Sequence, residues 1–255
     1  MKRITVFILS VLSVAVSAQN KPWIVGLNIA ATGNTSEYSG GMSSAHARFK
    51  HSQYAAGALN LFFQKKYSEH WFLQTGMGFT EIGFEEVISN NYSFFNLKNK
   101  EAVTRTGIGI IEIPAMAVYK FNLDCKNKRW YLGWGVKWMF NGESTDILKP
   151  DKSSLKEDKP QPNNDANMVQ HVYAGAISAL TAHFILGREK FRKNGHSYGW
   201  GFIYNQGFTS LAKADVFYSL EGTYYNHTFS NKGTYCGVYF QYFFNPLKSK
   251  KMLKD

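Results

Sequence analysis

The chain has 255 residues and carries 29 Lys and Arg against 18 Asp and Glu, which gives a formal net charge of +11. The basic residues gather in short runs between apolar segments and near the end of the chain, not along one face or in a basic-aromatic stripe. This placement excludes the continuous basic surface that follows a phosphate backbone, so we expect no nucleic-acid partner.

The first residues have the three parts of a secretory signal peptide. A basic start precedes an apolar stretch over residues 4–16, and small residues up to Ala18 form a cleavage site. Beyond it, charged, Asn and Gly residues interrupt every hydrophobic run, which excludes a helical membrane protein. The sequence therefore predicts an exported protein with a signal peptide over residues 1–18 and one mature domain over residues 19–255.

Past this leader, large apolar residues alternate with small or polar ones in a period of two, which is the signature of β-strands. The clearest run extends from Trp130 to Phe140, where Trp, Leu, Val and Phe alternate with Tyr, Gly, Lys and Met. Other segments follow the same rule. The eight predicted strands cover residues 22–31, 53–64, 70–84, 107–121, 129–140, 171–187, 196–208 and 233–244.

The spacers between these strands are alternately long and short. Short turns at one end and long loops at the other are typical of outer-membrane barrels, with the turns in the periplasm and the loops outside. The pattern predicts an all-β fold, an eight-stranded antiparallel up-and-down transmembrane β-barrel in the bacterial outer membrane. Both termini are then expected in the periplasm, including a basic tail over residues 245–255.

A soluble lipocalin-like barrel, with its apolar face inside, is the alternative that this alternation leaves open. A soluble barrel needs a charged exterior, whereas the second face here is rich in Gly, Asn, Gln and Thr with isolated charges. Small residues suit a narrow lumen, and Trp, Leu and Phe suit lipid. We therefore favour a monomeric membrane barrel that contacts outer-membrane lipid and carries no cofactor.

Glu112 and Lys137 lie on the predicted lumen faces of two consecutive strands. Counting back from a hairpin turn near Cys125 places Glu112 opposite Met139, so Lys137 becomes a diagonal neighbour. Burying either charge alone in a low-dielectric interior is costly. The two side chains are therefore predicted to form a structural salt bridge in the lumen, with a proton relay or a ligand site as the alternative.

The last long spacer, residues 209–232, is too apolar for a disordered loop. One interpretation, which we favour, is that the last two strands extend beyond the membrane as a hairpin. The other is a contact patch for a ligand or an envelope protein. The residues of that candidate patch are Phe217, Tyr218, Tyr224, Tyr225 and Phe229.

The segment from Ile111 to Phe121, with its Ile-Glu-Ile-Pro start, resembles a strand of the Bacteroidetes outer-membrane β-barrel family, often called porin-family or PorT-like proteins. The segments Trp130–Gly135 and Tyr204–Phe208 resemble further strands of that family. The resemblance implies an OmpA-type eight-stranded barrel. It also raises a role as an accessory of protein secretion across the outer membrane.

Because an eight-stranded barrel is only wide enough for side chains, a general diffusion pore is disfavoured. We expect a non-enzymatic protein with a structural or interaction role, acting through its loops or periplasmic turns. Besides secretion, the open alternatives are a narrow porin or small-ligand binder and a lipid-modifying enzyme. For the enzyme, His171 with Ser178 or His227 with Ser230 are candidates, although no nucleophile motif or metal-ligand spacing supports one.

Overall fold

The computed structural model describes residues 23–41, 49–89, 100–141, 166–192, 196–220 and 223–244. Among these residues there is no helix of the length and apolarity that crossing a membrane requires. The predicted signal peptide and the predicted basic tail lie outside the described residues. The strands are β1 (Trp23–Gly41), β2 (Phe49–Ser52), β3 (Tyr54–Lys66), β4 (Trp71–Ser89), β5 (Lys100–Lys120), β6 (Lys128–Asn141), β7 (Ala166–Ala174), β8 (Ser178–Phe191), β9 (Ser197–Gly207), β10 (Ala212–Leu220) and β11 (Thr223–Phe244).

Eight of these strands close into an antiparallel barrel. They follow one another in the order β1, β3, β4, β5, β6, β8, β9 and β11, and β11 pairs back with β1. Closure gives each of them two neighbours, so the wall has no edge whose backbone N–H and C=O groups would be left unpaired in lipid. The predicted fold class, an all-β protein built on an eight-stranded antiparallel barrel, is confirmed.

The two ends of the barrel differ in their connections. Short segments join β3 to β4, β5 to β6 and β8 to β9 at one end, which we call the turn end. Both ends of the described chain lie there too, since Val25 near the start of β1 pairs with Phe244 at the end of β11. The opposite end, which we call the loop end, carries the long connections.

The strands at the loop end differ from the predicted ones. The predicted strand over residues 171–187 is in fact two strands, β7 and β8, separated by a bend at residues 175–177. β7 pairs with β10, and β10 pairs with the first half of β11. The favoured hairpin therefore exists, but its first strand is β10 rather than an extension of β9. The apolar alternation of residues 212–229 reflects this extra sheet above the barrel.

The barrel wall has one apolar and one mixed face. On β6, the exposed side chains are Trp, Leu and Val between Trp130 and Trp138, whereas Tyr131, Lys137 and Met139 point inward and are buried. The other barrel strands continue this exposed apolar band, which ends on β4 at Phe79. An outward apolar band around a polar-lined interior is the arrangement of transmembrane barrels.

Candidate functional site

The lumen at mid-height is filled by an ion pair and a tyrosine. The Lys137 ammonium on β6 lies 2.8 Å from Oε2 of Glu112 on β5. The Tyr235 hydroxyl on β11 donates a hydrogen bond of 2.9 Å to the other carboxylate oxygen, and it also contacts Lys137 Nζ. All three side chains are buried. We call these three residues the central layer.

The strand register explains how the central layer forms. Glu112 pairs with Met139 and Pro114 pairs with Lys137 across the β5–β6 hairpin, so the structure brings together the two charges that sequence reasoning selected. Tyr235 was missed. It comes from β11, three strands away around the wall, so its contact with the pair depends on barrel closure. The sequence did carry one signal for it: alternation along the last strand places Tyr235 on the same face as Tyr239, which is the lumen face.

Uncharged polar groups surround the central layer. The Thr181 hydroxyl lies 2.9 Å from the Asn205 amide oxygen and 3.1 Å from the Lys137 backbone carbonyl. The Asn205 amide donates a hydrogen bond of 2.7 Å to the Gly233 carbonyl. The buried imidazole of His183 belongs to β8, two residues after Thr181, and His183 pairs with Asn205 on β9. Buried polar side chains therefore extend the central layer across β8 and β9.

A second charged layer closes the turn end. The buried Glu189 carboxylate on β8 accepts from Arg129 Nε at 2.9 Å and from the Ser197 hydroxyl at 2.5 Å, and it lies 3.3 Å from Lys120 Nζ. Two cations and a hydroxyl around one carboxylate offset the cost of burying it. Aromatic rings cover the Lys120 ammonium, which lies 4.5 Å from the ring centre of Phe72 and 4.6 Å from that of Phe243.

A third layer lies above the central one. Leu211, just before β10, is fully buried, and its carbonyl accepts a hydrogen bond of 3.1 Å from the Asn141 amide. Asn231 on β11 reaches across to β4, where its amide donates to the Gly83 carbonyl at 3.0 Å. Gly233 follows with a φ of 75°, a left-handed conformation that favours glycine. Side chains thus obstruct the lumen at three heights.

The five aromatic residues of the alternative contact patch in the last spacer do not share one surface. Their side chains divide between the two sides of the β10–β11 hairpin because residues alternate along each strand. Tyr224 is 43% exposed and Phe217 and Tyr225 are half-buried, whereas Tyr218 and Phe229 are buried inside the loop end. Most of the aromatic area is therefore core of the loop-end sheet.

Other candidate groups are placed as follows. The ring nitrogen Nε2 of His227 lies 3.1 Å from the Tyr218 hydroxyl, and the His171 ring packs edge-on against Phe217. Within the described ranges, no three His, Cys, Asp or Glu side chains are grouped as a metal site would need. Cys125 and Cys236 are both exposed free thiols.

A family model agrees with this architecture. Residues 17–211 match a family model described as outer membrane protein beta-barrel domain, whereas no curated protein matches the chain. Among solved structures, OprG from Pseudomonas aeruginosa is 11% identical, covering 88% of this chain and 97% of its own, with a TM-score of 0.44. Neisserial surface protein A is 12% identical over 86% of this chain and 96% of its own, with a TM-score of 0.38. Outer membrane protein W of E. coli is 11% identical over 88% and 99%, with a TM-score of 0.33.

Proposed function

This chain belongs to the outer membrane protein β-barrel domain family, and on that premise we propose that it is a closed barrel with a structural or interaction role. The observation that carries the proposal is the filled lumen. The Glu112, Lys137 and Tyr235 side chains occupy the central layer, and charged or apolar side chains obstruct the lumen on either side of it. An eight-stranded wall leaves little room beside them.

Conductance tests this proposal directly. The refolded protein is expected to produce no steady current in a planar bilayer, because ions would have to cross three layers of buried side chains. A large porin refolded in the same detergent controls for insertion. Heat-modifiable migration on a gel shows that the barrel is folded. A steady nanosiemens conductance would contradict a closed lumen.

We further propose that the turn end faces the periplasm. The short connections and both ends of the described chain support this orientation. The exposed thiol of Cys125 lies in the turn between β5 and β6, whereas Cys236 lies on the outer face of β11. The two native thiols therefore report on different environments.

Thiol labelling checks the orientation. In a Cys236→Ser variant, a membrane-impermeant maleimide is expected to leave Cys125 unlabelled in intact cells and to label it after the outer membrane is permeabilised. Adding a cysteine in a loop, for example Tyr224→Cys in a Cys125→Ser, Cys236→Ser background, provides the matched control that labels in intact cells. The opposite pattern would reverse the orientation.

A second candidate role is that of a PorT-like accessory in protein secretion. It is supported by the resemblance of the segment Ile111–Phe121, which forms the second half of β5 up to Lys120 and carries Glu112 of the central layer. Deleting the gene is then expected to reduce the amount of secreted protein. An unchanged set of secreted proteins would remove this candidate and leave the closed barrel untouched.

A further inference from the structure

Three side chains at the loop end form a hydrogen-bonded chain. The Ser36 hydroxyl on β1 lies 2.5 Å from Nε2 of His51 on β2. The other ring nitrogen of His51, Nδ1, lies 2.7 Å from Oε1 of Glu86 on β4. A hydroxyl, an imidazole and a carboxylate linked in this order are the nucleophile, base and orienting acid of serine hydrolases, a constellation recognised by geometry rather than by sequence position.

The strand pairing holds the three residues in place. His51 pairs directly with Glu86 in the β2–β4 ladder, so their side chains share one face. Ser36 lies where the β1–β11 register shifts, between the pairs formed by Thr35 and Glu37, and it has no partner residue in that ladder. A bulge of this kind re-aims a side chain and is common beside active sites. It also leaves the backbone near Ser36 out of regular β1–β11 pairing.

The burial of Glu86 and the partial exposure of His51 suit their roles as orienting acid and base. The Glu86 carboxyl is fully buried above the apolar band of the wall. Burial raises its pKa, and the hydrogen bond from the His51 imidazole opposes that rise. The His51 side chain keeps 23% of its surface exposed, so it is in partial contact with solvent.

Aromatic rings form an apolar wall beside the imidazole. The His51 ring stacks on Phe229 with centroids 4.7 Å apart. Tyr38, which is 53% exposed, packs edge-on against the same phenylalanine at 5.8 Å. An exposed aromatic surface next to a hydroxyl and imidazole can hold an apolar acyl chain while its carbonyl faces the hydroxyl.

We propose that Ser36, His51 and Glu86 form an acyl-hydrolase site for carboxylic esters of apolar acyl groups. His51 Nε2 takes the proton as Ser36 Oγ bonds to the ester carbonyl carbon, and the alcohol then leaves with that proton as its C–O bond breaks. Water next attacks the acyl-serine and gives a proton to His51, which returns it to Ser36 Oγ as the carboxylic acid departs. Glu86 is a positioning residue that holds the Nδ1–H of His51.

This site goes beyond the proposed structural or interaction role, and it differs from the pairs considered in the sequence. Those pairs are close in sequence, whereas 15 residues separate Ser36 from His51 and 35 separate His51 from Glu86. The lumen layers take no part in the site. A membrane lipid as the ester source rests on the proposed orientation with the loop end outward, whereas a soluble ester does not.

The first test uses the full chain refolded in detergent, with p-nitrophenyl butyrate and octanoate as substrates and a fluorophosphonate as a covalent serine probe. The wild-type protein is expected to hydrolyse both esters and to bind the probe. Ser36→Ala is expected to lose both properties. Ser210→Ala, a loop-end serine that contacts the Ala212 carbonyl, is the matched control and should keep them. A wild type that neither hydrolyses nor binds, or probe binding that survives in Ser36→Ala, overturns the proposal.

The second test separates positioning from folding. Glu86→Gln is expected to lower kcat by roughly 10⁴-fold with KM unchanged, because the amide no longer holds the imidazole in the required tautomer. Glu86→Asp should recover part of kcat. Heat-modifiable migration of each variant reports its folded fraction. A Glu86→Gln protein that is folded and fully active would remove Glu86 from the site.

The ester source is decided with the same proteins. Phosphatidylethanolamine–phosphatidylglycerol vesicles are incubated with wild type and Ser36→Ala, and released fatty acid is measured. Release by wild type alone assigns the site to membrane lipid, whereas p-nitrophenyl ester hydrolysis without fatty-acid release assigns it to soluble esters. Conductance is recorded separately, so an open lumen would overturn the closed barrel without bearing on the site.

Discussion

Replacing Lys137 with Met is expected to lower the free energy of unfolding by about 3–5 kcal/mol, because it leaves the Glu112 carboxylate buried without its cation. The Tyr235 hydroxyl would remain as its hydrogen-bond donor, which is insufficient for a full negative charge. Urea titration in detergent micelles, followed by tryptophan fluorescence and heat-modifiable migration, measures the loss.

Two further variants make this prediction specific. Adding Glu112→Gln to Lys137→Met removes both charges, so the double variant is expected to be more stable than Lys137→Met alone. The exposed pair formed by Lys232 and Glu37, with side chains 32% and 61% exposed, provides a matched control. Lys232→Met should cost about 0–1 kcal/mol. Equal losses for Lys137→Met and Lys232→Met would show that the central layer is not a buried ion pair.

Replacing Val136 with Arg is expected to lower the free energy of unfolding in lipid by about 2–4 kcal/mol, because a cation would face hydrocarbon near the middle of the membrane. Val136 is exposed on the outer face of β6, between Trp134 and Trp138. The charge of the next residue, Lys137, is accommodated because its side chain points into the lumen and pairs with Glu112. Refolding into vesicles, with urea titration, measures the difference.

Two controls separate lipid contact from packing. Val136→Ala reports the loss of the side chain alone and should cost much less. Leu123→Arg places the same cation on an exposed residue of the turn between β5 and β6, where water and head groups surround it, and should be nearly neutral. If Val136→Arg were as stable as Leu123→Arg, the exposed apolar band would not be embedded in lipid.

The ion pair of the central layer could be predicted from the sequence, because it depends on a single hairpin. Glu112 and Lys137 are brought together by one hairpin, so counting residues from the turn was enough to pair them. The charged layer at the turn end was not found, because Lys120 and Glu189 are separated by 69 residues. Glu189 also falls in a basic run just beyond residue 187, where the predicted strand ends. The one signal in the sequence that Glu189 is buried is its odd number, because the odd-numbered residues of β8 face the lumen.

No local sequence pattern predicts the candidate triad of Ser36, His51 and Glu86. Ser36, His51 and Glu86 lie on three strands, and all three fall in segments that alternation assigned to loops. The hydroxyl reaches the imidazole because the β1–β11 register shifts at Ser36. A register shift depends on how a strand pairs with a partner about 200 residues away in sequence, which is the distance from Thr35 to Thr234.

The sequence by itself determined much of the barrel wall: the order and approximate positions of its eight strands, which side of β6 faces outward, and that the interior is small and polar. These follow from the period of two, which acts on each strand separately. Only the tertiary structure decided what the interior does. Barrel closure brings Tyr235 to Glu112. β7 pairs with β10 and is not one of the eight wall strands. A shifted register places Ser36 beside His51. Such contacts depend on the pairing of distant strands, and alternation within one strand carries no information about its partner.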